Sequence, residues 1–161
     1  MTDASPPVLR AATAEEAAIV AKLLHDFNRE FDEPTPTVDQ LAGRMADLIA
    51  GGETVVLLVG ENADGLAVLR FRPAIWSKGL DCYLAELYVR PPSRGRGLGR
   101  ALMEAALSEA RQRGADTIEI GVDEPDLVAR RLYESLGFSN RSGGSTGPIM
   151  SVYELDLRET H

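Results

Sequence analysis

The sequence predicts an α+β fold in which a mixed, mostly antiparallel sheet of six to seven strands is flanked by about four helices. Three observations predict it. Strand-length apolar runs alternate with amphipathic stretches, turn residues at 62–65 join two strands into a hairpin, and one strand–helix–strand unit lies near the centre of the chain. The predicted order is β-α-α-β-β-β-α-β-α-β-β, without an internal repeat. We expect a single domain over residues 8–158, after a disordered tail at residues 1–7.

The first third of the chain is predicted to form a short strand, at residues 8–10, followed by two helices. Thr13 and Glu16 have the spacing of a capping box, in which two side chains satisfy backbone N–H groups at a helix start. Thr37 and Gln40 repeat that spacing. Apolar residues then recur three and four positions apart, as on one helical face. These are Val20, Leu23, Leu24, Phe27 and Phe31 after the first box, and Leu41, Met45, Leu48 and Ile49 after the second.

Six further strands and two further helices complete the prediction. The strands are expected at residues 54–59, 66–71, 80–89 and 117–122, from Phe138, and at residues 149–157. The helix at residues 98–114 is predicted from its amphipathic apolar positions. The helix at residues 125–136 has Pro125 in its first turn and Gly137 just beyond its end.

Charge and composition exclude several classes of function. Seventeen Lys and Arg against 25 Asp and Glu give a net charge of −8, which disfavours nucleic-acid binding and is compatible with a cationic small substrate. No apolar run approaches the ~20 residues of a membrane span. The first residues lack the features of a signal peptide, so we expect a cytoplasmic protein without a membrane partner. Cys82 is the only cysteine and His25 one of two histidines, so we expect no disulfide, no metal and no histidine-based triad.

An arginine- and glycine-rich stretch between a predicted strand and a predicted helix is the clearest functional signal. Arg94-x-x-Gly97-x-Gly99 places glycines where backbone N–H groups at a helix start can bind an anion. A dinucleotide-binding fingerprint does not fit, because Arg100 stands where its last glycine belongs. A nucleotide P-loop does not fit either, because no lysine follows these glycines.

This stretch resembles the pyrophosphate loop of the GNAT superfamily of N-acetyltransferases. Leu87-Tyr-Val89 resembles the family's splayed fourth strand, and residues 129–138 resemble its second signature, which ends in Tyr-x-x-x-Gly-Phe. The order of strands and helices is also similar. In place of an asparagine that the family often has seven residues before the tyrosine, this chain has Asp126.

The resemblance implies acetyl-CoA as the donor and Tyr133 as the general acid. The backbone of Leu87 and Val89 would hold the pantetheine arm. The phosphates would contact the loop, made of Arg94, Gly95, Arg96, Gly97, Leu98, Gly99 and Arg100.

The acceptor side is predicted from residue chemistry. Glu86 lies in the strand beside the expected thioester and is the candidate base, with Asp81, Glu119, Asp123 or a water chain as rivals. The candidate wall of an amine pocket comprises Phe27, Asn28, Phe31, Asp32, Trp76 and Tyr83.

Three functions fit these residues. The first is an acetyl-CoA-dependent N-acetyltransferase for a small amine or peptide amine. The second is a non-catalytic acyl-CoA-binding regulatory protein on the same scaffold, and the third is an adaptor whose loop binds another anion. The acceptor is not identified by the sequence. Sheet edges of such folds would also allow a homodimer.

Overall fold

The computed structural model describes residues 5–158, in which nine regular elements follow one another. The contacts divide the chain into two compact units, Met1–Ile120 and Gly121–His161. The first contains β1 (Leu9–Ala11), α1 (Ala17–Glu30), α2 (Val38–Ala50), β2 (Thr54–Val59), β3 (Gly65–Pro73), β4 (Leu80–Val89), α3 (Leu98–Gln112) and β5 (Ala115–Ile120), and the second contains α4 (Leu127–Ser135). The prediction of a single domain stays a prediction. The predicted tail lies partly outside the described residues.

A five-stranded sheet in the order β1-β2-β3-β4-β5 forms the centre of the first unit. Strands β1 to β4 are antiparallel, and β5 runs parallel to β4 as the second strand of the β-α-β unit. All six residues of β2 are buried. Helices α1 and α2 cover one face of the sheet and α3 covers the other, which explains why β2 is apolar from Val55 to Val59 rather than alternating.

Helix starts follow the predicted capping chemistry. Thr37 Oγ1 accepts from Gln40 N–H at 3.2 Å, and Gln40 Oε1 accepts from Thr37 N–H at 3.0 Å. Glu16 Oε1 accepts from Thr13 N–H at 3.1 Å, at the single 3₁₀ turn that precedes α1. Over residues 5–158, no helix has the length and apolar character that a membrane span requires.

A β-bulge interrupts the pairing of β3 with β4. Val68 pairs with Glu86, whereas the next residue, Leu69, pairs with Leu84, so Ala85 is the extra residue. Such a bulge bends a strand and puts neighbouring side chains on one side. The parallel pairing of β4 with β5 ends at Leu84 and Ile120. From the bulge to Val89, therefore, β3 is the only strand of the described residues that pairs with β4.

The prediction of six to seven strands is wrong for the described residues, which form five. Neither Phe138 nor the run at 149–157 belongs to a strand, and a single bridge joins Arg141 to Ile149. Turns at Ser142 and Gly147 dominate this region, with Ser142 N–H donating to the Pro148 carbonyl at 2.9 Å. The apolar run at 149–157 has strand composition, but a strand also needs a neighbour for its backbone groups. Its large side chains are exposed, with Tyr153 at 95%.

Candidate functional site

A glycine-rich turn leads from β4 into α3. Gly95 and Gly97 have φ angles of 81° and 77°, a region that costs most other residues about 1–2 kcal/mol. A Cβ on either would meet nothing within 4 Å, so backbone conformation, not space, requires glycine. Gly97 is the N-cap of α3, and its carbonyl accepts from Ala101 N–H at 3.1 Å. The N–H groups of Leu98 and Gly99 have no acceptor within the helix, so this turn is suited to an anion.

The end of β4 presents backbone groups beside this turn. Arg90 N–H donates to the Asp64 carbonyl at 2.8 Å, on the side of β3. Because successive strand residues direct their N–H and C=O groups to alternate edges, Val89 and Leu87 face the opposite edge. Among residues 5–158, no strand pairs with that edge beyond Leu84. An extended amide-containing ligand could pair there as an added strand does.

Arg94 connects the glycine turn to the end of α1. Its Nη2 lies 2.9 Å from both carboxylate oxygens of Glu30, and its Nε donates to the Val89 carbonyl at 2.9 Å. Tyr88 donates its hydroxyl to Glu30 Oε1 at 3.1 Å, and its ring lies 5.7 Å from the guanidinium carbon. The guanidinium predicted to bind phosphate therefore also anchors the turn.

The other arginines of the turn are arranged differently. Arg96 is exposed within the turn. Arg100 forms an i,i+4 ion pair with Glu104, with Nη1 3.5 Å from Oε1. Exposed pairs of this kind contribute little to stability, so the pair would not prevent Arg100 from turning toward a bound phosphate. Phosphate contacts by these arginines stay predictions.

A cavity of about 210 Å³ lies among α1, α2, β3 and β4. Its wall is mostly apolar, and polar atoms come from four residues. The apolar residues are Leu24, Phe27, Leu41, Met45, Leu48, Val68 and Ala85, and the polar residues are Asn28, Thr35, Arg70 and Glu86. The bulge explains why Ala85 and Glu86, which are consecutive in sequence, both line the same cavity.

Glu86 is the acidic residue of this wall. It is half-buried, and burial raises the pKa of its carboxyl above the ordinary value. Within residues 5–158 it takes part in no ion pair and no side-chain hydrogen bond. An unpaired carboxylate with a raised pKa in a cavity has the properties of a proton acceptor.

Glu86→Gln is expected to raise the melting temperature at neutral pH. The folded-state pKa of Glu86 is raised, so its favourable contribution is complete at low pH and is lost as pH rises through that pKa. Glutamine has the same shape and does not titrate. The gain should therefore be largest at pH 7–8 and shrink toward pH 4, in melting curves measured at constant ionic strength. Glu119→Gln, an exposed change on β5, is the control. A gain that grows toward low pH would contradict the assignment.

The structure brings Glu86 together with only part of the predicted amine pocket. Phe27 lines the cavity. Phe31 is 57% exposed and contacts Phe27, with ring centroids 5.4 Å apart. Asp32 is exposed at the end of α1, and Trp76, in the β3–β4 connection, is 96% exposed. Neither of these two nor Phe31 lines the cavity.

Of the remaining candidates, one lines the cavity and the others do not. Asn28 lines the cavity and donates from Nδ2 to the Pro34 carbonyl at 3.0 Å, whereas Tyr83 is about half exposed. Among the rival bases, Asp81 is paired with Arg72 at 3.6 Å. Glu119 and Asp123 are exposed, and neither lines the cavity.

Tyr133 and Asp126 belong to the second unit. Tyr133 is buried, and burial, with a smaller effect of Asp126, raises the pKa of its hydroxyl to about 12. Its ring packs near Phe138, with centroids 6.0 Å apart. Asp126 caps α4, accepting from Ala129 N–H at 3.1 Å, which gives the aspartate a structural role. At neutral pH Tyr133 is therefore a protonated hydrogen-bond donor.

Two residues near these sites were not among the sequence candidates. Arg70 lines the cavity. The sequence contains an indication of this role, because Arg70 is the one charged residue in the apolar strand predicted at residues 66–71. Glu30, which holds Arg94, gave no signal, because it lies 64 residues away in sequence and only the fold brings it close.

Comparisons with known proteins show what this chain is similar to. Residues 20–138 match the family described as the acetyltransferase (GNAT) family. The mycothiol acetyltransferase of Thermobispora bispora is 38% identical over 121 residues, which are 72% of this chain and 35% of that protein. YhfO of Bacillus subtilis, described as an uncharacterized N-acetyltransferase, is 27% identical over 137 residues, which are 84% of this chain and 91% of YhfO. The chain thus spans about a third of the length of the Thermobispora relative.

Solved structures extend the similarity to almost the whole chain. A crystal structure from Arthrobacter sp. FB24, assigned as an acetyltransferase, is 49% identical with a TM-score of 0.87, and the match covers 96% of this chain and 99% of that one. An assigned acetyltransferase from Clostridium acetobutylicum, solved with acetyl-CoA, is 21% identical with a TM-score of 0.73 over 97% of this chain and 99% of that one. The second similarity concerns the fold alone.

Proposed function

Because the chain belongs to the acetyltransferase (GNAT) family, we propose that it is an acetyl-CoA-dependent N-acetyltransferase that acts on a primary amine. The observation that carries the proposal is the position of Glu86. It lines an apolar cavity through its side chain, while the backbone of the next residue, Leu87, faces the open edge of β4. A donor on that edge and an amine in that cavity would meet beside one carboxylate.

The donor site fits coenzyme A in two respects. The open edge offers the N–H groups of Leu87 and Val89 and the Leu87 carbonyl to the amides of the pantetheine arm, while the Val89 carbonyl accepts from Arg94. The turn at Gly95 and Gly97, with the N–H groups that begin α3, offers donors to the pyrophosphate. Acetyl-CoA supplies an acetyl group activated as a thioester.

Glu86 would prepare the amine for attack. An alkylammonium has a pKa near ~10, so most of it is protonated at neutral pH and cannot act as a nucleophile. The Glu86 carboxylate accepts that proton, directly or through a water, and its raised pKa makes it a better acceptor than an ordinary glutamate. The amine nitrogen then forms a bond to the carbonyl carbon of the acetyl group.

Tyr133 would complete the reaction on the leaving sulfur. The carbon–sulfur bond breaks as the carbon–nitrogen bond forms, and the sulfur receives a proton or hydrogen bond from the Tyr133 hydroxyl. Support comes from the match of Tyr133 to the family signature and from its raised pKa, which keeps the hydroxyl protonated. The second proton of the nitrogen, which is lost as the amide forms, replaces the proton that Tyr133 gives to the sulfur, and the proton that Glu86 took passes to solvent.

Thiol release from acetyl-CoA with a panel of amines tests this proposal. Wild-type protein should release thiol only when an acceptor is present, and mass spectrometry should find the acetylated amine. Acetyl-CoA binding without transfer to any amine of the panel would instead favour a non-catalytic acyl-CoA-binding protein. Neither binding nor transfer would reject both functions.

Glu86→Gln should lower kcat/KM about 100-fold at pH 7.5, which is the lower end of the range for general base catalysis. The defect should shrink as pH approaches 10, because the amine then loses its proton in solution. The measurement is the pH profile of thiol release, with Glu119→Gln as the control. A defect that is constant across pH would mean that Glu86 does not act as a base.

A further inference from the structure

The two charged residues of the cavity suggest which amine it accepts, an inference that rests on the proposed function. Arg70 and Glu86 line the same wall. Val68, the direct cross-strand partner of Glu86, lies two residues before Arg70 in β3. Residues in this diagonal relation are about 7–8 Å apart. The extra residue of the bulge, Ala85, increases the separation of Arg70 and Glu86 along β4. The two charges are neighbours that do not touch.

Arg70 has no anionic partner of its own in the described part of the chain. The neighbouring arginine on the same strand, Arg72, is paired with Asp81, its Nε 3.6 Å from Oδ2. No such ion pair involves Arg70, whose side chain is exposed at the cavity. A guanidinium presents a planar set of N–H donors that matches a carboxylate. In a protein of net charge −8, this isolated cation would attract an anionic group of the substrate.

The rest of the cavity constrains the body of the substrate. Its wall between α1 and α2 is aliphatic and aromatic, with Leu24, Leu41 and Met45 among its members. Its volume of about 210 Å³ is below the ~300–1,000 Å³ that is usual for drug-sized ligands. A polycationic amine would have one carboxylate to pair with and would meet the positive charge of Arg70. A small, partly apolar acceptor with a single amine group fits this cavity better.

We propose that the acceptor is a free α-amino acid with a medium-sized apolar side chain, its amine at Glu86, its carboxylate at Arg70 and its side chain against α1 and α2. An α-amino acid carries its two charges on one carbon, so it can span the gap between the two residues with hydrogen bonds at both ends. The apolar wall accounts for the side chain. The amine is then held on the side of β4 where the acetyl group would lie.

The test compares three acceptors that share the amine and side chain of leucine and differ at its carboxyl group: L-leucine, L-leucinamide and 3-methylbutylamine. With wild-type protein and saturating acetyl-CoA, kcat/KM for leucine should exceed that for each of the others at least about 10-fold, because only leucine offers a carboxylate to Arg70. The amide is a stringent comparison. Its amine has a pKa near ~8, so more of it is unprotonated at neutral pH, which works against the expected order.

Arg70→Gln should reduce the preference for leucine to within about 3-fold, mainly by raising KM for leucine, with little change for 3-methylbutylamine. Arg72→Gln is the matched control on the same strand and should keep the preference. Equal use of leucine and leucinamide by the wild type, or an equal loss on all three acceptors in Arg70→Gln, would overturn this inference. If other amines of the panel are acetylated and amino acids are not, the inference alone fails. If no amine is acetylated, the proposed function fails first.

Discussion

Gly97→Asp is expected to abolish measurable acetyl-CoA binding while leaving the fold intact. Gly97 is the N-cap of α3 with φ of 77°. Aspartate and asparagine tolerate this left-handed conformation better than most other residues. The aspartate carboxylate would lie at the positive end of the helix dipole, which is favourable for the protein itself. The same carboxylate would occupy the place proposed for the pyrophosphate and would repel it.

The expected loss of acetyl-CoA affinity follows from the repulsion between the new carboxylate and the pyrophosphate. Two unit charges about 5 Å apart interact by about 3 kcal/mol at an effective dielectric constant of about 20, which corresponds to more than about 100-fold in affinity. The increase in melting temperature that acetyl-CoA causes in the wild type should therefore disappear in Gly97→Asp. Its melting temperature without ligand should stay near that of the wild type.

Gly97→Asn is the matched control, because asparagine has nearly the same shape, also tolerates positive φ, and carries no charge. It should keep most of the acetyl-CoA effect. An equal loss in both variants would point to backbone distortion instead of charge. Full binding by Gly97→Asp would show that the pyrophosphate does not lie at this helix start.

The sequence was most informative where function depends on local backbone chemistry. The glycine turn before α3 was predicted from the adjacent residues of Arg94-x-x-Gly97-x-Gly99, and in the structure Gly97 begins the helix, Gly95 and Gly97 have positive φ angles, and Gly99 lies within α3. The capping box at Thr37 was equally local, and the structure confirms its two hydrogen bonds. Such features need no knowledge of which strands meet, so a pattern of a few residues is sufficient.

Features that depend on distant contacts were predicted less well. Nothing in the sequence indicated the bulge at Ala85, which depends on the register between β3 and β4 and places Glu86 in the cavity. Trp76 was expected in the pocket because aromatic residues often line one, but it lies exposed in a connection. The run at 149–157 has strand composition, yet composition does not supply a pairing partner. Tertiary arrangement decided each of these cases.

Tyr133→Phe is expected to lower kcat about 100-fold with less than a threefold change in KM for acetyl-CoA. General acid catalysis contributes about 10²–10⁴-fold, and the lower end applies because a thiol with a pKa near ~8.5 is a moderate leaving group. The pKa of Tyr133 is raised to about 12, so the hydroxyl should stay protonated over the whole working range. The wild-type rate should then show no decline from tyrosine ionisation up to pH 10.

The folded state should be little affected by this substitution, which makes the kinetic result interpretable. The Tyr133 hydroxyl has no hydrogen-bond partner within residues 5–158, and phenylalanine keeps the ring that packs near Phe138. Tyr153→Phe, at a 95% exposed tyrosine of the same unit, is the control and should retain full activity. Full activity of Tyr133→Phe with unchanged acetyl-CoA binding would remove Tyr133 from the reaction, and departure of the sulfur as an unassisted thiolate would then be the remaining route.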